Sequence, residues 1–214
     1  MRIFFALAVL LAAAQSSAAL AERYRVDLIL FADTSTDPGE TPQPVAQPDT
    51  ARTFEPWEVV PLRNARIEVL EDELFGMMET WKRLDNSRDH QPLIRIAWIQ
   101  TDPPAERGVA IRLKQGTPLT SITATGSAEI YPVDGWVSLM AGRYLHLDTS
   151  FVQTQALEDG TLGSYRLRER RRLKRDELNH LDSPRLGVVV RVQRADPKPA
   201  AAPAKPTTPK PARN

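Results

Sequence analysis

The chain has 214 residues and no cysteine, and its 28 Lys and Arg against 27 Asp and Glu give a formal net charge of +1. A chain of this length without disulfides must rely on its own hydrophobic core, and it is long enough for one domain. The balanced charge lacks the overall basicity of a typical nucleic-acid-binding protein, so we expect no nucleic-acid partner.

Residues 1–21 have the pattern of a secretory signal peptide. Arg2 precedes an apolar run over residues 3–14, and Ala19-Leu20-Ala21 provides a small-x-small cleavage sequence. Removing this leader leaves 27 basic and 27 acidic residues. No Cys stands beside the cleavage site to carry a lipid, and nothing later has the length of a membrane-spanning helix. The sequence therefore predicts an exported, soluble protein without a transmembrane segment.

The first half of the mature chain predicts a strand, a long loop and a helix. Residues 24–31 (YRVDLILF) are rich in strand-forming residues, and a polar, Pro-rich loop is expected over residues 33–61. Phe54 and Trp57 suggest that the end of this loop packs on the core. Apolar residues then recur at three- and four-residue steps over residues 65–84, which predicts one amphipathic helix.

The second half predicts a succession of strands. We expect them at residues 92–100, 109–114, 135–151, 164–174 and 186–192, with a bend at Gly142 in the third, a loop over residues 116–125 and a turn at residues 182–184. The predicted fold class is α+β: a single domain over residues 22–195, mainly an antiparallel β-sheet with one long amphipathic helix packed on one face. Residues 196–214, mostly Pro, Ala, Lys and Thr, predict a disordered tail.

The most distinctive stretch is the strand predicted over residues 164–174. Seven of the ten residues from Arg166 to Arg175 are Lys or Arg. At the two-residue period of a strand, one face would carry Arg166, Arg168, Arg170, Arg172 and Lys174. Like charges at this spacing repel, so the row requires nearby carboxylates, water or an anionic ligand. A solvated face balanced by acidic residues of neighbouring strands and a ligand-binding face are both open at this point.

A hairpin between the strands at residues 135–151 and 164–174 would place Tyr144, His146 and Asp148 beside the arginines, with a turn at residues 158–160. Guanidinium groups bind carboxylates in a bidentate manner, and aromatic rings stack on sugar faces. Peptidoglycan is an exported ligand that offers both. The candidate ligand-binding residues are Trp136 as a stacking platform, Arg143, Tyr144, His146, Arg166, Arg168, Arg170 and Arg172.

Signals for catalysis are weak. The three histidines are His90, His146 and His180, and the His146–Asp148 and His180–Asp182 spacings lack a nucleophile elbow or an oxyanion-type Gly pattern. No metal-type spacing is present either. We therefore expect a protein that is not an enzyme and has no catalytic residue, metal or cofactor. A cell-wall hydrolase remains the less favoured alternative.

The chain also resembles the CsiV family of periplasmic peptidoglycan-binding proteins. The resemblance rests on GRYLHLD at residues 142–148, on Arg170-Arg171-Arg172, on DELNHLDSP at residues 176–184 and on GVVV at residues 187–190. It extends to WKRL at residues 81–84 and to IAWIQ at residues 96–100, and so covers nearly all of residues 24–192. The chain departs from the family pattern at Asn179, Leu181 and Ser183.

The resemblance implies a non-catalytic protein of the Gram-negative periplasm. It implies binding to peptidoglycan and support of cell-wall synthesis by a class A penicillin-binding protein and its outer-membrane lipoprotein activator. The alternative is an envelope protein-interaction module, whose basic strand binds an acidic partner without contacting glycan.

Overall fold

The computed structural model of the chain describes residues 21–35, 41–45, 48–123 and 126–195. The predicted signal peptide, apart from Ala21, and the predicted tail lie outside the described residues. Within them no helix is long and apolar enough to cross a membrane.

Strands dominate the fold. In chain order they are β1 (Arg23–Asp33), β2 (Gln43–Pro44), β3 (Thr53–Phe54), β4 (Ile67–Val69), β5 (His90–Thr101), β6 (Ala110–Gln115), β7 (Leu119–Thr123), β8 (Gly126–Ile130), β9 (Val133–Ala141), β10 (Leu145–Ala156), β11 (Leu162–Arg172), β12 (Leu178–Asp182) and β13 (Leu186–Arg194). The helices are α1 (Val59–Asn64), a 3-10 helix (Asp72–Leu74) and α2 (Met78–Asp85).

The strands form two main sheets and a separate hairpin. The first sheet has the order β12-β13-β1-β5-β4, and the second has the order β2-β11-β10-β9-β6-β3. In the part of the chain that the structure describes, strands β7 and β8 pair only with each other. Neighbouring strands are antiparallel except for β3 and β6, which are parallel over two residues. The prediction of a mainly antiparallel β protein is therefore confirmed, although there are two sheets where one was expected.

The two sheets pack face to face over a shared core. Alternate residues of β1 and β13, including Leu28 and Val190, point to this core from the first sheet. Leu139, Leu147 and Leu167 of β9, β10 and β11 meet them from the second sheet. All five are at most 1% exposed. This apolar alternation determines which residues of β10 and β11 point outward, and so it positions the candidate site.

The prediction of one long amphipathic helix over residues 65–84 is wrong. These residues form β4, the 3-10 helix and all but the last residue of α2, and α2, with eight residues, is the longest helix in the described part of the chain. The chain has to approach the first sheet at Gly76, where an added Cβ would lie 2.8 Å from Arg191 Nη2 and 3.1 Å from Asp27 Oδ1. The N–H of Gly76 donates to Asp27 Oδ1, 2.6 Å away, and so does not make the bond to the residue four positions earlier that a continuous helix would require. The expected one-sided packing is retained, because Trp81 and Leu84 of α2 pack against Ile29 and Ala97.

Other elements also differ from prediction. The strand expected over residues 135–151 is a hairpin, since β9 and β10 pair antiparallel from Ala141↔Leu145 onward and residues 142–144 form the turn. Part of the loop expected at residues 116–125 is β7. The Pro-rich loop contains β2, β3 and the start of α1. Phe54 packs against the core as expected, but Trp57 is 71% exposed.

Candidate functional site

The predicted cationic face is present on β11. Arg166, Arg168, Arg170 and Arg172 are exposed, whereas Leu167 between them is 1% exposed and lies in the core. The strand ends at Arg172, so Lys174 lies in the following turn. Leu167 and its buried neighbour Tyr165 fix the strand against the first sheet, and this fixes the orientation of the arginine row.

The predicted hairpin places the neighbours of this row as expected, with the turn closed by Gly160 at a φ of 79°. β10 and β11 pair in a register that sets His146 opposite Arg172 and Asp148 opposite Arg170. Ser150 and Val152 lie opposite Arg168 and Arg166. Side chains opposite each other in an antiparallel pair share one face of the sheet, so the arginines face one carboxylate, one imidazole and two uncharged residues.

Tyr144 lies at the end of this face, and two guanidinium groups lie close to its ring. Its ring centroid is 3.4 Å from Arg172 Cζ and 5.4 Å from Arg143 Cζ, and the residue is 39% exposed. The N–H of Ala141, just before the turn of residues 142–144, donates to the backbone O of Pro104, 2.9 Å away, and ties the start of this turn to the segment before β6. Cation–π contacts of this kind hold both the ring and the guanidiniums in place while leaving their edges open to a ligand.

Two open cavities meet at the Tyr144 turn. The larger, of about 940 Å³, is bordered by Tyr144, Arg143 and Arg172 on one side and by residues 174–177 on the other. The smaller, of about 600 Å³, lies between Tyr144, His146 and Arg170 and the segment from Ala105 to Arg107. Arg166 and Arg168 border neither cavity. The described residues thus offer a concave, cation-lined surface around one exposed aromatic ring.

The wall of the larger cavity at residues 174–177 is held by Asn179. Its Oδ1 accepts a hydrogen bond from the N–H of Lys174 (2.8 Å), and its Nδ2 donates to the backbone O of Lys174 and of Glu177 (2.9 and 3.0 Å). The N–H of Asp176 also donates to the backbone O of Val192, 2.8 Å away. Sequence reasoning did not find this wall. The only signal was that the basic run continues past the end of the strand.

The acidic groups bordering the larger cavity have partners of their own. The hydroxyl of Tyr24 donates to Glu22 Oε2 (2.5 Å), and Arg194 Nη2 lies 2.6 Å from Glu22 Oε1. The hydrogen bond from Tyr24 and then the one from Arg194 hold the pKa of Glu22 below its usual value, while burial raises the pKa of Tyr24. Glu177 lies 3.5 Å from Lys174. Arg143 and Arg172 have no carboxylate partner among the described residues and remain available to an anion.

Trp136 does not provide the stacking platform that was predicted. It lies on the same side of the second sheet, opposite Ser150, but it is only 2% exposed. Arg107 covers its ring with Cζ 4.9 Å from the centroid. The segment before β6 thus closes over β9, and a sugar cannot reach the indole in this structure.

The histidines do not assemble a hydrolytic site within the described residues. His146 Nδ1 lies 3.2 Å from the backbone O of Tyr144 and makes no hydrogen bond to Asp148. His90 Nδ1 lies 3.0 Å from Ser87 Oγ, and His180 stacks on Phe31 with ring centroids 5.7 Å apart. No group of three His, Asp or Glu side chains in the described part of the chain could hold a metal ion.

The fold and this surface together define a two-sheet β protein with an exposed aromatic–cationic surface that suits an anionic ligand. We call this surface, formed around Tyr144 by Arg143 and Arg172, the cradle. The chain matches the model of the family described as "Peptidoglycan-binding protein, CsiV" over residues 3–195. It therefore belongs to the CsiV family, as its motifs indicated. No curated protein and no solved structure matched the chain.

Proposed function

We propose that this protein binds peptidoglycan in the periplasm without catalysing a reaction, and that it supports wall synthesis by a class A penicillin-binding protein and its outer-membrane lipoprotein activator. Membership in a family described as peptidoglycan-binding supports the first part. The predicted signal peptide supports the location. The link to the synthase and its activator rests on the family resemblance alone.

The observation that carries the binding proposal is the cradle around Tyr144. Two guanidiniums close to one exposed ring, at the junction of two open cavities, can hold a carboxylate and a sugar face together. Peptidoglycan provides both groups, since its stem peptides are acidic and its strands are glycans. We assign the contact to Arg143, Tyr144, His146, Arg170 and Arg172, all of which border at least one cavity.

The test is co-sedimentation of the mature protein with purified sacculi over a series of salt concentrations. Arg172→Gln removes one charged donor to a carboxylate, which weakens binding about tenfold or more. Tyr144→Ala removes the ring, whereas Tyr144→Phe keeps it and should bind nearly as well as the wild type. Binding should also weaken as salt rises, because the charges are exposed to solvent.

Arg83→Gln is the matched control. Arg83 is an exposed cation on α2, which packs on the outer face of the first sheet, away from the cradle. Equal losses for Arg83→Gln and Arg172→Gln would show that attraction is only a matter of net charge. If Tyr144→Ala folds and binds sacculi as tightly as the wild type does, the cradle is not the binding site.

A further inference from the structure

The second sheet has an open edge at β11. Within the described ranges, β11 pairs on its outer side only with β2, and only through Gly163 and Ser164. Among the described residues no strand pairs with this side of residues 165–172. An unpaired strand edge is a row of backbone N–H and C=O groups that another extended chain can join.

The hydrogen-bond pattern shows which residues point to this edge. The N–H of Leu173 donates to the backbone O of Leu145, 2.8 Å away, so Leu173 and Leu145 form a bonded pair. Bonded and non-bonded pairs alternate along an antiparallel ladder, and Arg171↔Leu147 is therefore also bonded. The backbone groups of Arg166, Arg168 and Arg170 consequently point away from β10, toward the open edge.

The same three residues carry unsatisfied charge. Arg166, Arg168 and Arg170 are exposed, and within the described ranges none of them has an ion pair, hydrogen bond or ring contact. Other arginines of the fold do have partners: Arg112 lies 2.7 Å from Asp134, and Arg171 lies 2.6 Å from Glu169. Three successive outward positions of one strand thus combine free backbone groups with free guanidiniums, at a spacing of about 6.8 Å.

We infer that the β11 edge binds an extended acidic segment of a partner protein, which adds as a further strand beside Arg166, Arg168 and Arg170. In an added strand that runs antiparallel to β11, the residues opposite the arginines form bonded pairs with them, and their side chains lie on the same face. Asp or Glu at alternate positions of the segment therefore pairs with each arginine. The inference goes beyond peptidoglycan binding and does not depend on it.

Charge and backbone chemistry select this occupant. A second copy of the chain joined through β11 would place arginines opposite arginines, and like charges directly opposite are destabilising. A glycan offers no alternating amide N–H and C=O groups to the unpaired backbone of the edge. An acidic peptide strand satisfies the backbone groups and the guanidiniums together.

The experiment uses the mature protein and an end-capped eight-residue peptide with Glu at three alternate positions and Val or Thr elsewhere. The control peptide has the same composition with its three Glu contiguous. Affinity is measured by fluorescence anisotropy, and the bound edge by amide hydrogen exchange. We expect tighter binding of the alternating peptide and slower exchange at Arg166, Arg168 and Arg170 in its presence.

Two variants of one residue separate charge from backbone pairing. Arg168→Gln loses one cross-strand ion pair, which should weaken binding about twofold to fivefold. Arg168→Pro also loses the N–H that points to the edge, for a further loss of about threefold to tenfold. Proline is tolerated on an edge strand where its nitrogen faces outward. If Arg168→Pro does not fold, a peptide with one backbone amide methylated tests the same hydrogen bonding on the wild-type protein.

Equal affinity for the alternating and contiguous peptides, or for the methylated and unmethylated ones, would refute strand addition. Arg168→Gln is also tested for sedimentation with sacculi, where we expect wild-type binding. A loss there as large as that of Arg172→Gln would show that Arg168, which borders neither cavity, contacts the wall, and would overturn the inference while leaving peptidoglycan binding intact. If the Tyr144 variants sediment with sacculi as the wild type does, the proposed peptidoglycan site is wrong, but the measured affinity for the peptide still tests the strand-addition inference.

Discussion

Asp27 is the carboxylate whose removal should cost this fold the most. It lies in the middle of β1, fully buried, and accepts a bidentate contact from Arg25: Nε to Oδ2 is 3.0 Å, and Nη2 to Oδ1 is 3.1 Å. Its Oδ1 also accepts a hydrogen bond from the N–H of Gly76 (2.6 Å), and Arg191 Nη2 lies 3.7 Å from Oδ2. One carboxylate thus fastens the segment between β4 and α2 to the first sheet.

The expected loss of unfolding free energy follows from the groups that Asp27→Ala leaves without their partner. Removing one partner of a buried ion pair costs about 3–5 kcal/mol. Arg25 and Arg191 keep 30% and 28% of their side-chain exposure and can regain water, so we expect the lower end, about 3 kcal/mol, for Asp27→Ala. Asp27→Asn keeps an acceptor for Gly76 and should cost about 2 kcal/mol. For a domain of this size, 3 kcal/mol lowers Tm by about 6–12 °C.

Urea unfolding followed by tryptophan fluorescence measures these differences. The control is Asp72→Asn, on the same segment, because Asp72 pairs with Arg95 from a side chain that is 60% exposed. Its loss should be much smaller than that of Asp27→Asn. The cradle lies on the other sheet, so folded Asp27→Asn should bind sacculi as the wild type does. A loss below about 1 kcal/mol for Asp27→Ala would refute the role assigned to this carboxylate.

Two further predictions concern Glu22, which borders the larger cavity, and Gly135, which lies in β9. Tyr24→Phe removes the main cause of the lowered pKa of Glu22, so a carboxyl-detected NMR titration should show that pKa rising toward 4.5. An unchanged pKa would contradict the assignment. In the wild type, the stability contributed by ionised Glu22 is complete above pH 4.5 and is lost as the pH falls through the lowered pKa. Gly135→Ala should cost several kcal/mol in thermal unfolding, because its Cβ would lie 2.2 Å from Phe151 Cδ1, whereas Gly142→Ala meets no heavy atom closer than 3.6 Å and should be tolerated.

The long strands were predictable because their signals are local. Period-2 alternation in β11, the strand-forming residues of β1 and the β-branched run of β13 survive any arrangement of the rest of the chain. The predicted helix failed for the opposite reason. Apolar spacing between Ile67 and Leu84 also fits a short strand followed by a turn and a helix, and the choice is made by distant groups such as Asp27, which binds the N–H of Gly76. Periodicity within the segment carries no information about that contact.

The site divides in the same way. The arginine face and its neighbours His146 and Asp148 follow from the alternation of two strands and one hairpin, so the sequence could indicate them. The burial of Trp136 depends on Arg107, which reaches it from the segment before β6. The wall at residues 174–177 depends on Asn179 and on a backbone contact to Val192. Both are tertiary contacts without a local pattern, and both change which surface a ligand can reach.

The structure bears on whether acidic neighbours balance the charge of the arginine row on β11. A solvated face balanced by neighbouring acids would show carboxylates beside the guanidiniums, yet across the ladder only Asp148 is acidic, and it makes no ion pair with Arg170 in the described residues. Among the described residues, the row thus has one acidic neighbour across the ladder, Asp148, and one aromatic contact, that of Arg172 with Tyr144. An anionic ligand at the cradle and an acidic strand at the edge would each supply the missing charge. Arg172→Gln and Arg168→Gln should accordingly lose different ligands, because Arg172 borders the larger cavity and Arg168 borders neither.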